Sequence, residues 1–440
     1  MPSDNNKTGY LSWFLLHSLL TSFFCVWTFG DSIFVLFLHE LKLQKGQIGI
    51  LLSLFPFCGL LALGFAPTAT RLGRKRIFLI CYGTRKLVIA GLLFLPWIVN
   101  EWGHTAALIY LSAIIAIFAV LRSLAETAFY PWSQEFIPNN IRGKIGAWVG
   151  VLGLISSALA LLIAGYVIER NNGLNAYMML IAVGAIIGIL SVVVMLKVPG
   201  GIPVSNTIET GSHLANMREA LHDRNFTIYL TGMTGLSIGA VMLISFLPLY
   251  LTEEIGVSSA TVVQLGTVFM VGGGISSLAC GWLTDRVGSR PVLIPSAILL
   301  VIIPVIWIIL PRETSHSLIW CALFYFMFGA LLNGTIISAT RLLYNDVIPP
   351  EKNTAYTAIH YAWMGVTGGI APLLAGGILS LLADWQITLI GMNIDNYTVF
   401  FTTAMFFFIL GGIFYSRVRP DDVHTIRTVV RNFLNRLMQR

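Results

Sequence analysis

Twelve apolar stretches set the limits on what this chain can become. They fall at residues 11–38, 47–69, 77–98, 106–136, 145–168, 175–196, 226–251, 260–283, 292–310, 317–345, 355–382 and 397–416. Segments of this length can cross about 30 Å of hydrocarbon as helices. In lipid each must satisfy its own backbone hydrogen bonds, which selects a helix over an open strand. Composition agrees, since 56% of the residues are hydrophobic and only 11% charged. An ordinary soluble domain carries about 25% charged residues, so this chain has too few to cover a water-exposed surface. The sequence predicts an all-α integral membrane protein with twelve transmembrane helices. The first stretch exceeds the apolar region of a cleavable signal and reads as a retained span.

One connection is long. It runs from Lys197 to Asn225 and opens Val198-Pro199-Gly200-Gly201. It divides the chain into a six-helix bundle over residues 1–197, a linker at 198–225 and a second six-helix bundle over 226–417. A basic amphipathic tail follows at 418–440, with Ile426, Val429, Val430, Phe433 and Leu437 at helical spacing beside Arg427, Arg431 and Arg436.

The net charge of +7 does not mark a nucleic-acid binder, because its distribution follows the membrane. With the N-terminus inside, 19 of the 27 Lys and Arg residues fall on the inner side and four on the outer. Arg85, Lys86, Arg122 and Arg341 lie within spans. The split predicts a multi-pass protein of the cell membrane, plasma or inner, with both termini cytoplasmic. The five cysteines stand singly in apolar stretches, and no metal-ligand spacing or phosphate-binding GxxxxGK[ST] occurs. No metal, cofactor or ATP hydrolysis is expected.

The chain also repeats itself. Glu135-Phe-Ile-Pro138, after span 4, aligns with Asp346-Val-Ile-Pro349, after span 10, at an offset of 211 residues. Between spans 2 and 3, Thr70-Arg71-Leu72-Gly73-Arg74-Lys75-Arg76 aligns with Asp285-Arg286-Val287-Gly288-Ser289-Arg290-Pro291 at an offset of 215. Two segments with nearly one spacing imply a six-span unit used twice.

Gly281-x-x-x-Asp285-Arg286-x-Gly288-x-Arg290 resembles the signature loop of the major facilitator superfamily, and Glu135-x6-Arg142 resembles the acidic–arginine pair that follows span 4 there. The resemblance implies two pseudo-symmetric six-helix halves around a central cavity lined by spans 1, 4, 7 and 10. Physically, Gly281 and Gly288 suit a tight turn and close helix approach. Asp285 can accept from an arginine or a helix N-terminus of the neighbouring bundle, latching one conformation. The N-terminal copy has Ala66 and Thr70 in place of Gly281 and Asp285, so its latch is expected to be weaker or absent. Arg71, Gly73, Arg74, Arg341 and Asp346 complete the expected cytoplasmic gating set.

Charges inside spans are costly and mark pathways. Asp31 lies in span 1, and Arg122 and Glu126 share one face of span 4 at i,i+4 spacing. The repeat sets Asn333 of span 10 at the position of Arg122. These four are the expected substrate and proton pathway. A same-helix ion pair of Arg122 with Glu126, serving structure alone, is the competing reading. Arg85 and Lys86 are expected to snorkel to the inner surface. Tyr130, Trp132, Trp148, Tyr361 and Trp363 could stack on a ring-shaped cargo. Gly235-x-Ser237-x-Gly239 spells a hydrolase elbow, but it lies in an apolar helix, where small-residue packing explains it. The expected function is alternating-access transport of a small solute, coupled to protons, by a monomer in the lipid bilayer. The alternative is a non-transporting receptor or scaffold on the same fold, and an enzyme is not expected.

Overall fold

The computed structural model describes residues 9–60, 73–171, 173–201, 211–310, 317–349, 352–389 and 392–419. Among them, ten helices are long and apolar enough to cross a membrane, and Lys45–Leu60 is a shorter apolar helix. One of the ten, Arg74–Phe136, joins spans 3 and 4 through Gly103, whose φ of 77° and ψ of 178° are not helical. Glycine takes that left-handed φ without a Cβ penalty. With the two arms separated and Lys45–Leu60 taken as the described part of span 2, the twelve predicted spans are present. The others are Gly9–Glu40 (span 1), Asn139–Arg170 (5), Leu174–Met195 (6), Arg224–Glu253 (7), Ser259–Val287 (8), Arg290–Ile309 (9), Leu318–Val347 (10), Ala355–Leu381 (11) and Asn396–Arg417 (12).

Local chemistry explains the breaks. Span 1 divides at Gly30 into Gly9–Phe29 and Asp31–Glu40, and a Cβ at Gly30 would press into the Val26 carbonyl. Span 9 divides at Val301, where Pro304 cannot donate to the carbonyl of residue 300. Asp395 caps span 12 by accepting from the Thr398 N–H at 2.8 Å. One departure from an all-helical chain is a short antiparallel hairpin, Ile387–Leu389 with Met392–Ile394, ahead of span 12.

The chain forms two compact units. The first holds Met1–Ile208 with Leu251–Thr267, and the second Glu209–Tyr250 with Val268–Arg440. In the first, Phe78 stacks on Tyr82 with ring centres 4.6 Å apart, and Phe14, Trp132 and Phe136 pack around them. Leu251–Thr267 joins this unit through an ion pair between Lys45 and Glu253 at 2.7 Å. Gly165 adds to it by leaving room for Ala260 and Gln264. In the second unit, the buried hydroxyls of Tyr229 and Tyr250 each donate to a carbonyl, of Ala339 and Trp307, at 3.0 Å. Spans 7 and 12 meet backbone to backbone at Gly235 and Gly411. The GxSxG of span 7 is therefore a packing seam.

Candidate functional site

The two repeated loops share a positive-φ glycine and differ in their ion pairs. Gly73 and Gly288, equivalent in the repeat, have φ of 94° and 88°, the left-handed turn that glycine makes at least cost. Each loop then starts a span with a basic residue that reaches the last helix of its unit. The Lys75 ammonium donates to the Leu196 carbonyl at the end of span 6, and the Arg290 guanidinium to the Ser416 carbonyl at the end of span 12. These cations cap helix C-termini, where the backbone dipole favours positive charge. Gly281 does not make the expected close approach, since a Cβ there would meet open space. The turn rests on Gly288.

Asp285 pairs with Arg341 of its own unit, Nε to Oδ1 3.6 Å, with the aspartate 78% exposed. Arg286 lies over the Trp282 ring, 4.1 Å from its centre. Thr70 and Arg71 fall outside the described residues. The N-terminal unit nevertheless holds a tighter pair than its sequence suggests. Arg74 and Glu135 meet at 2.6 Å, with side chains 22% and 32% exposed. The other Glu135 oxygen accepts from the Gly201 N–H at 2.7 Å. Glu135 thus pairs with Arg74, not Arg142. Arg142 instead donates to the carbonyls of Gln134 and Ile137, at 3.2 and 3.3 Å, closing the end of span 4. Asp346, at the position of Glu135, is exposed in a single π-helical turn, Leu343–Val347.

Within the spans, Arg122 and Glu126 form the i,i+4 pair at 2.8 Å, both about half exposed, at 51% and 47%. Tyr130, one turn further, continues this open face, while Ala125, Ala128, Trp132 and Phe136 are buried on the other. Asp31 is the first residue of Asp31–Glu40, immediately after the Gly30 break, and its side chain falls outside the described residues. Asn333 donates to the Gly329 carbonyl of its own helix at 3.1 Å and rests on Gly273 of span 8, where a Cβ would strike its amide. Of the aromatic candidates, Trp132 is fully buried and donates to the Pro199 carbonyl, so it packs the core. Trp363 donates to Thr234 at 2.7 Å, tying span 11 to span 7.

Arg85 and Lys86 do not snorkel. Both are buried, and Lys86 Nζ lies 3.1 Å from the centre of the Phe24 ring, with no hydrogen-bond partner among the described residues. The Arg85 guanidinium covers the Tyr82 ring at 3.9 Å. Nearby, His17 Nδ1 bonds the Ser191 carbonyl at 2.8 Å and the Thr21 hydroxyl meets that of Tyr82 at 2.8 Å. Spans 1, 3 and 6 therefore enclose a buried basic cluster whose cations lie on aromatic faces. Helical spacing could have found it. Phe78, Tyr82, Arg85, Lys86 and Ile89 form the buried stripe of span 3, opposite the exposed Ile80 and Leu87.

The sequence model of the Major Facilitator Superfamily matches residues 15–372 and 231–433. The ectoine/proline transporter of Corynebacterium glutamicum is 22% identical over 361 residues, 76% of this chain and 69% of that protein. The gentisate transporter of the same organism is 24% identical over 199 residues, 42% of this chain and 43% of that one. A solved D-xylose-proton symporter superposes with a TM-score of 0.70 at 14% identity, covering 94% of this chain and 98% of the symporter. At that identity the superposition speaks to the fold.

Proposed function

The chain belongs to the Major Facilitator Superfamily and is a multi-pass secondary transporter, and on that premise we propose that it moves a small solute by alternating access, coupled to protons. The observation that carries this reading is the Arg122–Glu126 pair on a half-open face of span 4. A charged pair is too costly to present to lipid and belongs on a solvated pathway. Arginine keeps its charge in proteins and must hold an anionic or polar partner throughout the cycle. Glu126 holds it in this state. Asp31 is the second carboxylate in the set, and protonating either one frees Arg122 for the other or for an anionic cargo. Asn333 is the neutral counterpart in span 10.

The cargo class to test first is a small carboxylate-bearing metabolite. Ectoine, proline and gentisate, named for the two relatives above, share a carboxylate, and a guanidinium matches it bidentately. The six-span halves are 1–197 and 226–417, with the linker at 198–225 and the basic tail at 418–440, of which residues 420–440 fall outside the described ones. Both termini lie in the cytoplasm, as the 19-to-four charge split requires, and a single chain is the transporting unit. The loops carrying Arg71, Gly73 and Arg74, and Asp285 to Arg290, gate the inner side.

The test is uptake by protein reconstituted in liposomes under an imposed pH gradient, with cargo chosen by a thermal-shift screen of metabolites. Asp31→Asn or Glu126→Gln should abolish gradient-driven accumulation while leaving exchange measurable. Arg122→Ala should lose both, and Arg122→Lys should rescue poorly. Accumulation at wild-type level by both carboxylate variants would remove the coupling role.

A further inference from the structure

The N-terminal unit has a groove of about 490 Å³ at its basic end, lined by Lys75, Arg76, Leu79, Ile80, Gly200 and Gly201. We propose that it binds an anionic glycerophospholipid, with the phosphate between Lys75 and Arg76 and an acyl chain along spans 3 and 6.

Charge is the first support. Among the described residues neither Lys75 nor Arg76 has a carboxylate partner, and the neighbouring acid, Glu135, is engaged by Arg74 and the Gly201 N–H. Two cations at the edge of an apolar wall suit a phosphodiester held by charge-assisted hydrogen bonds. Lys75 spends one N–H on the Leu196 carbonyl and keeps two of its three donors.

The internal repeat shows which cation is surplus to the fold. Lys75 and Arg290 occupy equivalent positions and do the same work, each reaching the last carbonyls of its unit's final span. At the next position Arg76 is matched by Pro291. The second unit makes its positive-φ glycine turn and its capping contact without a second cation there, so neither feature requires Arg76.

Depth and surface are the remaining supports. The Lys197 ammonium lies 3.6 Å from the centre of the Trp13 ring, and a tryptophan–lysine contact of this kind belongs at headgroup level. From the groove, Ile80, Leu87 and Phe94 form an exposed apolar stripe at heptad spacing on span 3, and Val193 and Leu196 are exposed on span 6. Such a surface faces acyl chains. A soluble anion would use the cations and leave the apolar wall bare.

The experiment uses the purified, delipidated full chain in detergent. Thermal unfolding is recorded with added dioleoylphosphatidylglycerol, with dioleoylphosphatidylcholine at the same mole fraction, and with inorganic phosphate. Native mass spectrometry counts the phosphatidylglycerol bound. Phosphatidylglycerol alone should raise the midpoint. Arg76→Gln should weaken that effect about tenfold in lipid concentration, the loss expected for one hydrogen bond to a charged group. Its midpoint without lipid should be unchanged, because Arg76 supports no packing. Lys144→Gln, a basic change elsewhere at the same end, should respond like wild type. The proposal is overturned if Arg76→Gln keeps the full response or if Lys144→Gln loses as much. An equal midpoint rise with phosphate would assign a small-anion site and overturn it too.

Discussion

Replacing Glu135 by glutamine should destabilise the protein far more than replacing Asp285 by asparagine, although Asp285 is the acid the signature loop emphasises. Glu135 accepts from Arg74 at 2.6 Å and from the Gly201 N–H at 2.7 Å, and both side chains of the ion pair are mostly covered. A hydrogen bond to a charged group contributes about 1.5–3 kcal/mol and a neutral one about 0.5–1.5. Glutamine has one acceptor oxygen for these two donors. It keeps one contact weakened by about 1 kcal/mol and loses the other, worth about 1.5–3. The loss is about 3 kcal/mol in all, or roughly 150-fold in equilibrium constant. Asp285 is 78% exposed and stands 3.6 Å from Arg341, and exposed pairs of this kind contribute about 0.2–1 kcal/mol. For a cooperative unit of about 200 residues, 1 kcal/mol moves the midpoint by roughly 2–4 °C. Glu135→Gln should then lower the thermal midpoint of purified protein by about 6–12 °C, and Asp285→Asn by no more than about 4 °C. Arg74→Met combined with Glu135→Gln should cost less than the sum of the single changes, since the two share one interaction. Equal losses for Glu135→Gln and Asp285→Asn, or additive losses in the Arg74 cycle, would refute the reasoning.

Three further outcomes are expected. In transport, Asp285→Asn should slow turnover more than Thr70→Ala, measured as initial uptake rate in proteoliposomes, because only the C-terminal loop carries the acid. Cysteines introduced at Glu253 and Asp384, both exposed, should label from outside intact cells, and those at Asp285 and Arg142 should not; the reverse pattern would invert the topology. Gly235→Ala or Gly411→Ala drives a methyl into facing backbone that cannot move aside, an overpacking cost of about 1–3 kcal/mol. Gly412→Ala meets open space and should unfold with the wild-type midpoint.

The spans were legible because lipid imposes a length and a polarity that no packing detail can override. The repeat was legible too, and it located turns. Gly73 and Gly288 share a positive φ, and Lys75 and Arg290 one capping role. Ion-pair partners were less so. Arg142 follows Glu135 closely in sequence, whereas Arg74 lies 61 residues away and wins it through the packing of span 3 on span 4. Facing was lost for a different reason. A window of mean hydropathy ignores which side of a helix a charge occupies, so Arg85 and Lys86 seemed free to reach the surface. Their stripe, shared with Phe78, Tyr82 and Ile89, points into the core. For Asp31, sequence placed the residue and the Gly30 break explains its position at a helix start.

The two units keep different ion pairs from one shared template. Under the repeat, Arg74 and Glu135 correspond to Ser289 and Asp346, while Asp285 and Arg341 correspond to Thr70 and Tyr130. Neither pair therefore has both members in both units. The pair retained by the first is short, mostly covered and anchored to the backbone of Gly201. The pair retained by the second is long and open to solvent. A contact worth less than about 1 kcal/mol opens readily in thermal equilibrium, whereas one worth several opens rarely unless another process supplies the difference. On these magnitudes the Asp285–Arg341 pair opens at small cost and the Arg74–Glu135 pair does not, and the easily opened pair is the one that contains the acid present in only one of the two repeated loops.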